Sequence, residues 1–171
     1  MTDMDSLVTE HADAVWRTVN RVLENQDDAR ECYQQTFLDA FQMDRDGVRN
    51  WRSVLCQIAF RRSMDCLRRR YRDRDKLPQM AVALGEDLPP DKRLIQAEVR
   101  ASVRRVLVTL PVAQAEAFWL RHIQQLSTNE VAIQMKLRPG HVRVLIHRAI
   151  RTLRNELGSQ YEFASQTGNT K

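Results

Sequence analysis

Seven side chains in the last third of the chain have the type and spacing to grip a polyanion: Arg138, His141, Arg143, His147, Arg148, Arg151 and Arg154. They fall opposite Val142, Leu145, Ile146, Ala149, Ile150 and Leu153, which recur at i, i+3, i+4, i+7, i+8 and i+11, one apolar stripe of a helix. Between Lys136 and Arg154 there are six Lys or Arg and no acid, whereas an ordinary solvated face mixes both signs. A helix with one side for a core and one side for phosphate is what a helix-turn-helix lays in a major groove. The rival is a basic membrane-surface or calmodulin-type helix. Its apolar face is narrow and lacks Trp and Phe, and a short capped helix comes before it, so nucleic acid is the favoured ligand. The cap is Ser127 with Glu130, the S-x-x-E box that satisfies two orphan N–H groups reciprocally. Pro139 and Gly140 then open the second helix, proline losing nothing where the N–H has no helical partner.

A second cationic block lies at residues 61–76, where seven Arg and one Lys face three Asp. Arg61, Arg62, Arg68, Arg69, Arg70, Arg72 and Arg74 are too dense for ordinary surface, and Phe60 and Tyr71 beside them could stack on exposed bases. Trp51, further back on the same helix, reads as core, and for Phe60 a place in the core is at least as good a reading as stacking on a base. Residues 1–60 carry the opposite balance, eleven Asp or Glu against six Arg. Two basic blocks in an otherwise acidic chain suggest one polyanion held at two places and a second, different partner.

Other chemistries find no support in the residues. There is no Gly-rich phosphate loop and no recognisable nucleophile-and-base or paired-carboxylate motif, so an enzyme is not expected. His11, His122, His141 and His147 lack metal spacing, and no metal, cofactor or small-molecule substrate is expected. Cys32, Cys56 and Cys66 are odd in number and widely spaced, as reduced thiols of a cytoplasmic protein. The start MTDMD lacks a signal-peptide pattern, and the longest charge-free run, Val106 to Ala115, has ten residues, well short of the ~18 that cross a bilayer.

The elements that must position these groups are helices. Five Gly, five Pro and no useful period-2 pattern in 171 residues predict an all-α chain. Leu7, His11, Val15, Val19 and Val22 predict a first helix over 5–24. Asp28 followed by Glu31 predicts the cap of a second helix, with Cys32, Tyr33, Phe37, Ala40 and Phe41 turned inward and Glu31, Gln34, Gln35 and Asp39 outward. After a loop at Asp44 to Gly47, a long helix is expected from Val48 to Arg72. Residues 75–92, with three prolines and a glycine, read as a linker, within which Met80 to Leu84 could dock. The expected organisation is therefore a helical domain over 1–74, the linker 75–92, a helix-turn-helix domain over 93–158 and a disordered tail over 159–171.

With both blocks placed, the chain resembles a known family. Asp28 to Leu38 (DARECYQQTFL) resembles the D-A-E-D-x-x-Q-E-x-F-L signature of bacterial RNA polymerase sigma factors, and Trp51 to Arg70 (WRSVLCQIAFRRSMDCLRRR) their W-L-x-x-I-A-R-N-x-x-x-D-x-L-R-R-R segment. Leu110 to Arg121, Leu126 to Ala132 and Pro139 to Arg154 are similar to the family's C-terminal DNA-binding region. The order and the two-domain extent, about residues 7–157, match the extracytoplasmic-function (ECF) type.

The resemblance implies a factor that binds core RNA polymerase and promoter DNA and directs initiation, with an anti-sigma factor as a further candidate partner. A stand-alone helix-turn-helix regulator is the alternative. By the resemblance, Asp28, Glu31, Gln34, Gln35 and Asp39 would face the polymerase, and Phe60, Arg61, Arg62, Asp65, Arg68, Arg69 and Arg70 would meet the melted −10 strand. Arg121, Ser127, Lys136, Arg138, His141, Arg143, His147 and Arg148 would meet the −35 duplex. Four departures stand out. The Phe37 to Trp51 interval is short, Gln35 replaces Glu, and Arg61 or Arg62 replaces Asn. Lys136 stands where a helix-turn-helix often has Gly, so its backbone is expected to be left-handed or irregular at modest cost.

Overall fold

The computed structural model describes residues 4–44, 46–74 and 90–167; side chains are described within these except at Met4, Arg74, 90–97, 99 and 159–167. All regular structure among the described residues is helical. The chain divides into two compact units, Met1–Leu77 and Pro78–Lys171.

The first unit packs three helices, α1 (Met4–Val22), α2 (Gln26–Gln42) and α3 (Trp51–Arg74), each against the other two. The apolar stripe of α1 puts Leu7, Val15, Val19 and Val22 into the core. There they meet Ala29, Phe37 and Ala40 of α2 and Leu55, Ala59, Phe60 and Met64 of α3. Trp16, Tyr33 and Phe37 form an edge-to-face chain, with centroids 5.7 and 5.2 Å apart, that ties α1 to α2.

Two helix starts differ from the sequence expectation. Asp28 does not cap α2: Asn25 does, its Oδ1 accepting from the N–H groups of Asp27 and Asp28, both at 3.0 Å. Both residues are good cap types, and the one that comes first along the chain closes the turn, which releases the Asp28 carboxylate for a tertiary contact. Helix α3 begins at Trp51 rather than Val48. The Asn50 side chain accepts from the Ser53 N–H at 3.0 Å, after a turn in which Gly47 adopts φ +81°.

The second unit contains α4 (Pro90–Thr109), α5 (Val112–Phe118), a π-helical turn (Trp119–Ile123), α6 (Thr128–Met135) and α7 (Pro139–Thr167). Helix α4 starts inside the expected linker, while 75–89, including Met80 to Leu84, lie outside the described residues. The expected disordered tail is corrected through Thr167, because α7 continues past Gly158. A lone helical glycine costs only about 1 kcal/mol, and no proline follows to stop the helix. Leu120, Val131, Ala132 and Val142 form a buried cluster that fixes α6 and α7 against the π turn, with Leu126, Met135, Leu137 and Ile146 packed around it.

Candidate nucleic-acid and polymerase surfaces

The turn of the second unit is built around one left-handed residue. The Ser127–Glu130 box forms in full: Ser127 Oγ accepts from the Glu130 N–H at 3.2 Å, and Glu130 Oε2 accepts from the Ser127 N–H at 2.7 Å. Hydrogen bonding from the Ser127 side chain, and next from its N–H, holds the exposed Glu130 carboxyl below its usual range. Helix α6 ends in a Schellman motif whose left-handed position is Lys136, at φ 55° and ψ 43°. Its N–H donates to Ile133 O at 3.2 Å and the Leu137 N–H to Ala132 O at 2.9 Å. The left-handed backbone expected at Lys136 is present, stabilised by those two bonds and by Leu137 against the cluster. Arg138 stands just before α7, its carbonyl accepting from the N–H groups of His141 and Val142.

Along α7, Val142, Leu145, Ala149 and Leu153 are buried, while Arg138, His141, Arg143, His147, Arg148, Arg151 and Arg154 are exposed, as is Lys136 in the turn. None of these eight has a carboxylate partner among the described residues, so the face is cationic without internal neutralisation. Ser127 is exposed at the start of α6 with its hydroxyl in the cap. Arg121 is half-buried and donates from Nη1 to Leu126 O at 3.4 Å, bracing the segment in which Gln125 takes φ 58°. The π turn puts Leu120 fully inside and leaves Arg121 half-buried beside it.

The first unit behaves differently. Arg62 grips Asp39 with a two-pronged pair, Nε to Oδ2 at 2.5 Å and Nη2 to Oδ1 at 2.7 Å, and Gln35 Nε2 donates to the same carboxylate at 3.0 Å. Arg70 pairs with Asp28 across the same two helices, and Arg68 with Asp65 at 3.7 Å along α3. The acids expected to face one partner and the arginines expected to face another therefore neutralise each other in part. Arg69 and Arg72 remain exposed without a partner among the described residues, and Arg61 is exposed. Phe60 is a correction: at 2% exposure it is core and offers no face to a base. Of the two readings open for Phe60 the core one holds: it stands one residue before two exposed arginines, but its side chain points the other way round the helix.

The solved structure of CnrH in complex with the cytosolic domain of CnrY matches 91% of this chain and 88% of its own (22% identity, TM-score 0.55). The sigma factor RpoE bound to the anti-sigma factor NepR from Bartonella quintana matches 92% and 98% (17% identity, TM-score 0.56). These two show the fold. The family model described as Sigma-70, region 4 matches residues 100–153. The ECF RNA polymerase sigma factor SigE of Mycolicibacterium smegmatis is 30% identical over 174 residues, which is 98% of this chain and 66% of that protein. The ECF RNA polymerase sigma factor SigD of Mycobacterium bovis is 30% identical over 151 residues, 86% of this chain and 70% of that protein. The chain belongs to the ECF RNA polymerase sigma factors.

In this ECF factor the exposed side of α2 differs from the one the sequence suggested. Glu31 and Gln34 are exposed, but Asp28, Gln35 and Asp39 are half-buried and engaged with α3 or each other. Leu38 and Phe41, at 50% and 55% exposure, complete a stripe with Glu31 and Gln34 at i, i+3, i+7 and i+10. Period alone places Phe41 inward; the structure places it outward. The signal that could have found it was the stripe it shares with Leu38, one helical step from the charged residues.

The thiols of the ECF factor are all buried and free. Burial, and next the neighbouring Cys66, push the Cys32 thiol up to about 12. Burial also raises Cys56 and Cys66. Thiolate chemistry is disfavoured at all three.

The Asp39–Arg62 pair predicts a pH dependence. Burial pushes the Asp39 carboxyl up, but the hydrogen bonds from Arg62 and Gln35 outweigh it and leave it below the ordinary range. The unfolded carboxyl titrates near ~3.9, so the stabilisation is complete above that pH and is lost as pH falls through the lower folded value. Asp39→Asn is expected to cost about 1 kcal/mol or less at pH 7, since the guanidinium is partly screened by water. Unfolding at pH 7 and pH 3 checks this: a difference that stays constant at low pH would place its origin outside the pair.

Proposed function

We propose that the chain is a promoter-specificity subunit that binds core RNA polymerase and directs initiation from the cytoplasm. Helix α7 would read the −35 element as duplex, and the Arg61 to Arg72 side of α3 would hold the melted −10 strand. The observation that carries the reading is the un-neutralised cationic face of α7, set behind a fully formed capped turn in a chain of this family. Phosphate contacts from such a face give salt-dependent affinity, and base contacts give register-specific discrimination. The exposed stripe Glu31, Gln34, Leu38 and Phe41 on α2 is the surface proposed for the polymerase, apolar side chains supplying area and the polar ones orientation. An anti-sigma factor is proposed as a further partner, as found with RpoE from Bartonella quintana. Strand separation follows from holding both DNA sites on one chain, because the second contact is then intramolecular.

Mixing the purified chain with core RNA polymerase and following gel filtration and run-off transcription tests the reading. A stoichiometric complex that starts transcripts at a restricted set of sites is expected. Duplex binding without any complex would instead favour the stand-alone regulator.

A further inference from the structure

We propose that Val144 is a specificity-determining residue that reads the C5-methyl group of a thymine in the major groove. The inference rests on α7 being the duplex-reading helix and adds a base preference to it. Among the described residues of α7, Val144 is the large apolar side chain that stays exposed, at 45%. Its surface neighbours at i±3 and i±4 are Gly140, His141, His147 and Arg148, all exposed, so an isopropyl group stands in the middle of a polar, cationic face. The core does not use it: Val142 and Leu145, on either side in sequence, are the buried residues of that turn.

Side chains on a helix lean toward its N-terminus, so Val144 covers the turn that contains Gly140. A Cβ at Gly140 would meet nothing within 4 Å, and the bare backbone there leaves room for a base edge to come close. The β-branch fixes χ1, so the methyl groups are held in place without a supporting partner. Of the groups displayed on the major-groove edges of the four base pairs, the thymine methyl is the apolar one. Arg143 and Arg148 near Val144, with His141 and His147 as hydrogen-bonding partners, would hold the backbone of the duplex and bring that methyl within van der Waals reach.

The test uses the full chain with core RNA polymerase. Duplexes are selected from a randomised pool, and each thymidine of the selected −35 region is then replaced singly by deoxyuridine, which removes only the methyl group. At one position the wild-type holoenzyme is expected to lose about fourfold in affinity, the worth of one buried methyl. Val144→Ala is expected to fold normally and to bind thymidine and deoxyuridine duplexes alike. A selected site insensitive to deoxyuridine everywhere, or a sensitivity that survives Val144→Ala, overturns the inference and leaves the proposed function standing. A Val144→Ala chain that no longer binds polymerase would place Val144 in a protein contact, which also overturns it. Failure of the pool to yield any preferred duplex sinks both readings together.

Discussion

Phe60→Ala is expected to unfold the first unit or bring it to the edge of unfolding before any nucleic acid is added. Phe60 is among the largest fully buried side chains, packed in α3 with Leu55, Ala59 and Met64. Removing a buried phenylalanine ring costs about 3–5 kcal/mol, because the transfer energy is lost and the cavity does not fully collapse. A small domain has only about 5–15 kcal/mol in total, so urea unfolding followed by helical circular dichroism should show an early loss of signal from α1, α2 and α3. Phe60→Leu, which fills most of the volume, should recover most of the stability. The opposite pattern, normal unfolding of Phe60→Ala with a selective loss of single-strand binding, would mean that the ring serves bases rather than the core.

The contrast between Phe60 and α7 shows where the chain is legible from its residues. Helix α7 could be read because an uninterrupted 3.6 period separates Val142, Leu145, Ala149 and Leu153 from five arginines and two histidines, and the burial follows that division. In α3 the arginines and the core residues interleave, and the block after Phe60 masks the period. Competition between local interactions accounts for other differences. Asn25 and Asp28 are both good caps, and sequence alone does not rank them; the outcome decides whether Asp28 holds a helix end or pairs with Arg70. The ties from Arg62 to Asp39 and from Arg70 to Asp28 are tertiary, formed by residues 23 positions apart in the first case, and no short-range pattern announces them. The π turn at Trp119–Ile123 depends on one extra residue being accommodated while Leu120 stays buried, a packing compromise without a composition signal. The left-handed Lys136 was legible because the turn position, rather than the residue type, demands the conformation.

Arg143→Ala should cost about 5- to 150-fold in affinity for a selected −35 duplex, the range of ~1–3 kcal/mol attached to one bidentate base contact. Arg143 is exposed one turn into α7, beside the buried Val142, so truncation removes no core packing and leaves the cap and the Schellman turn untouched. The association with core polymerase should therefore be unchanged, since the surface proposed for it lies on α2 in the other unit. Arg143→Lys should restore charge but only part of the discrimination, because an ammonium lacks the planar fork that matches two acceptors of one guanine. Arg151→Ala, two turns further along, offers the comparison. If Arg151 meets only phosphate, its loss should weaken every duplex alike and lower the salt slope by about one. Binding titrations of both variants at several salt concentrations, on the selected duplex and on a scrambled one, separate the two roles. A uniform loss for Arg143→Ala would reassign that side chain to the backbone, and a parallel loss of polymerase binding would remove α7 from the promoter altogether.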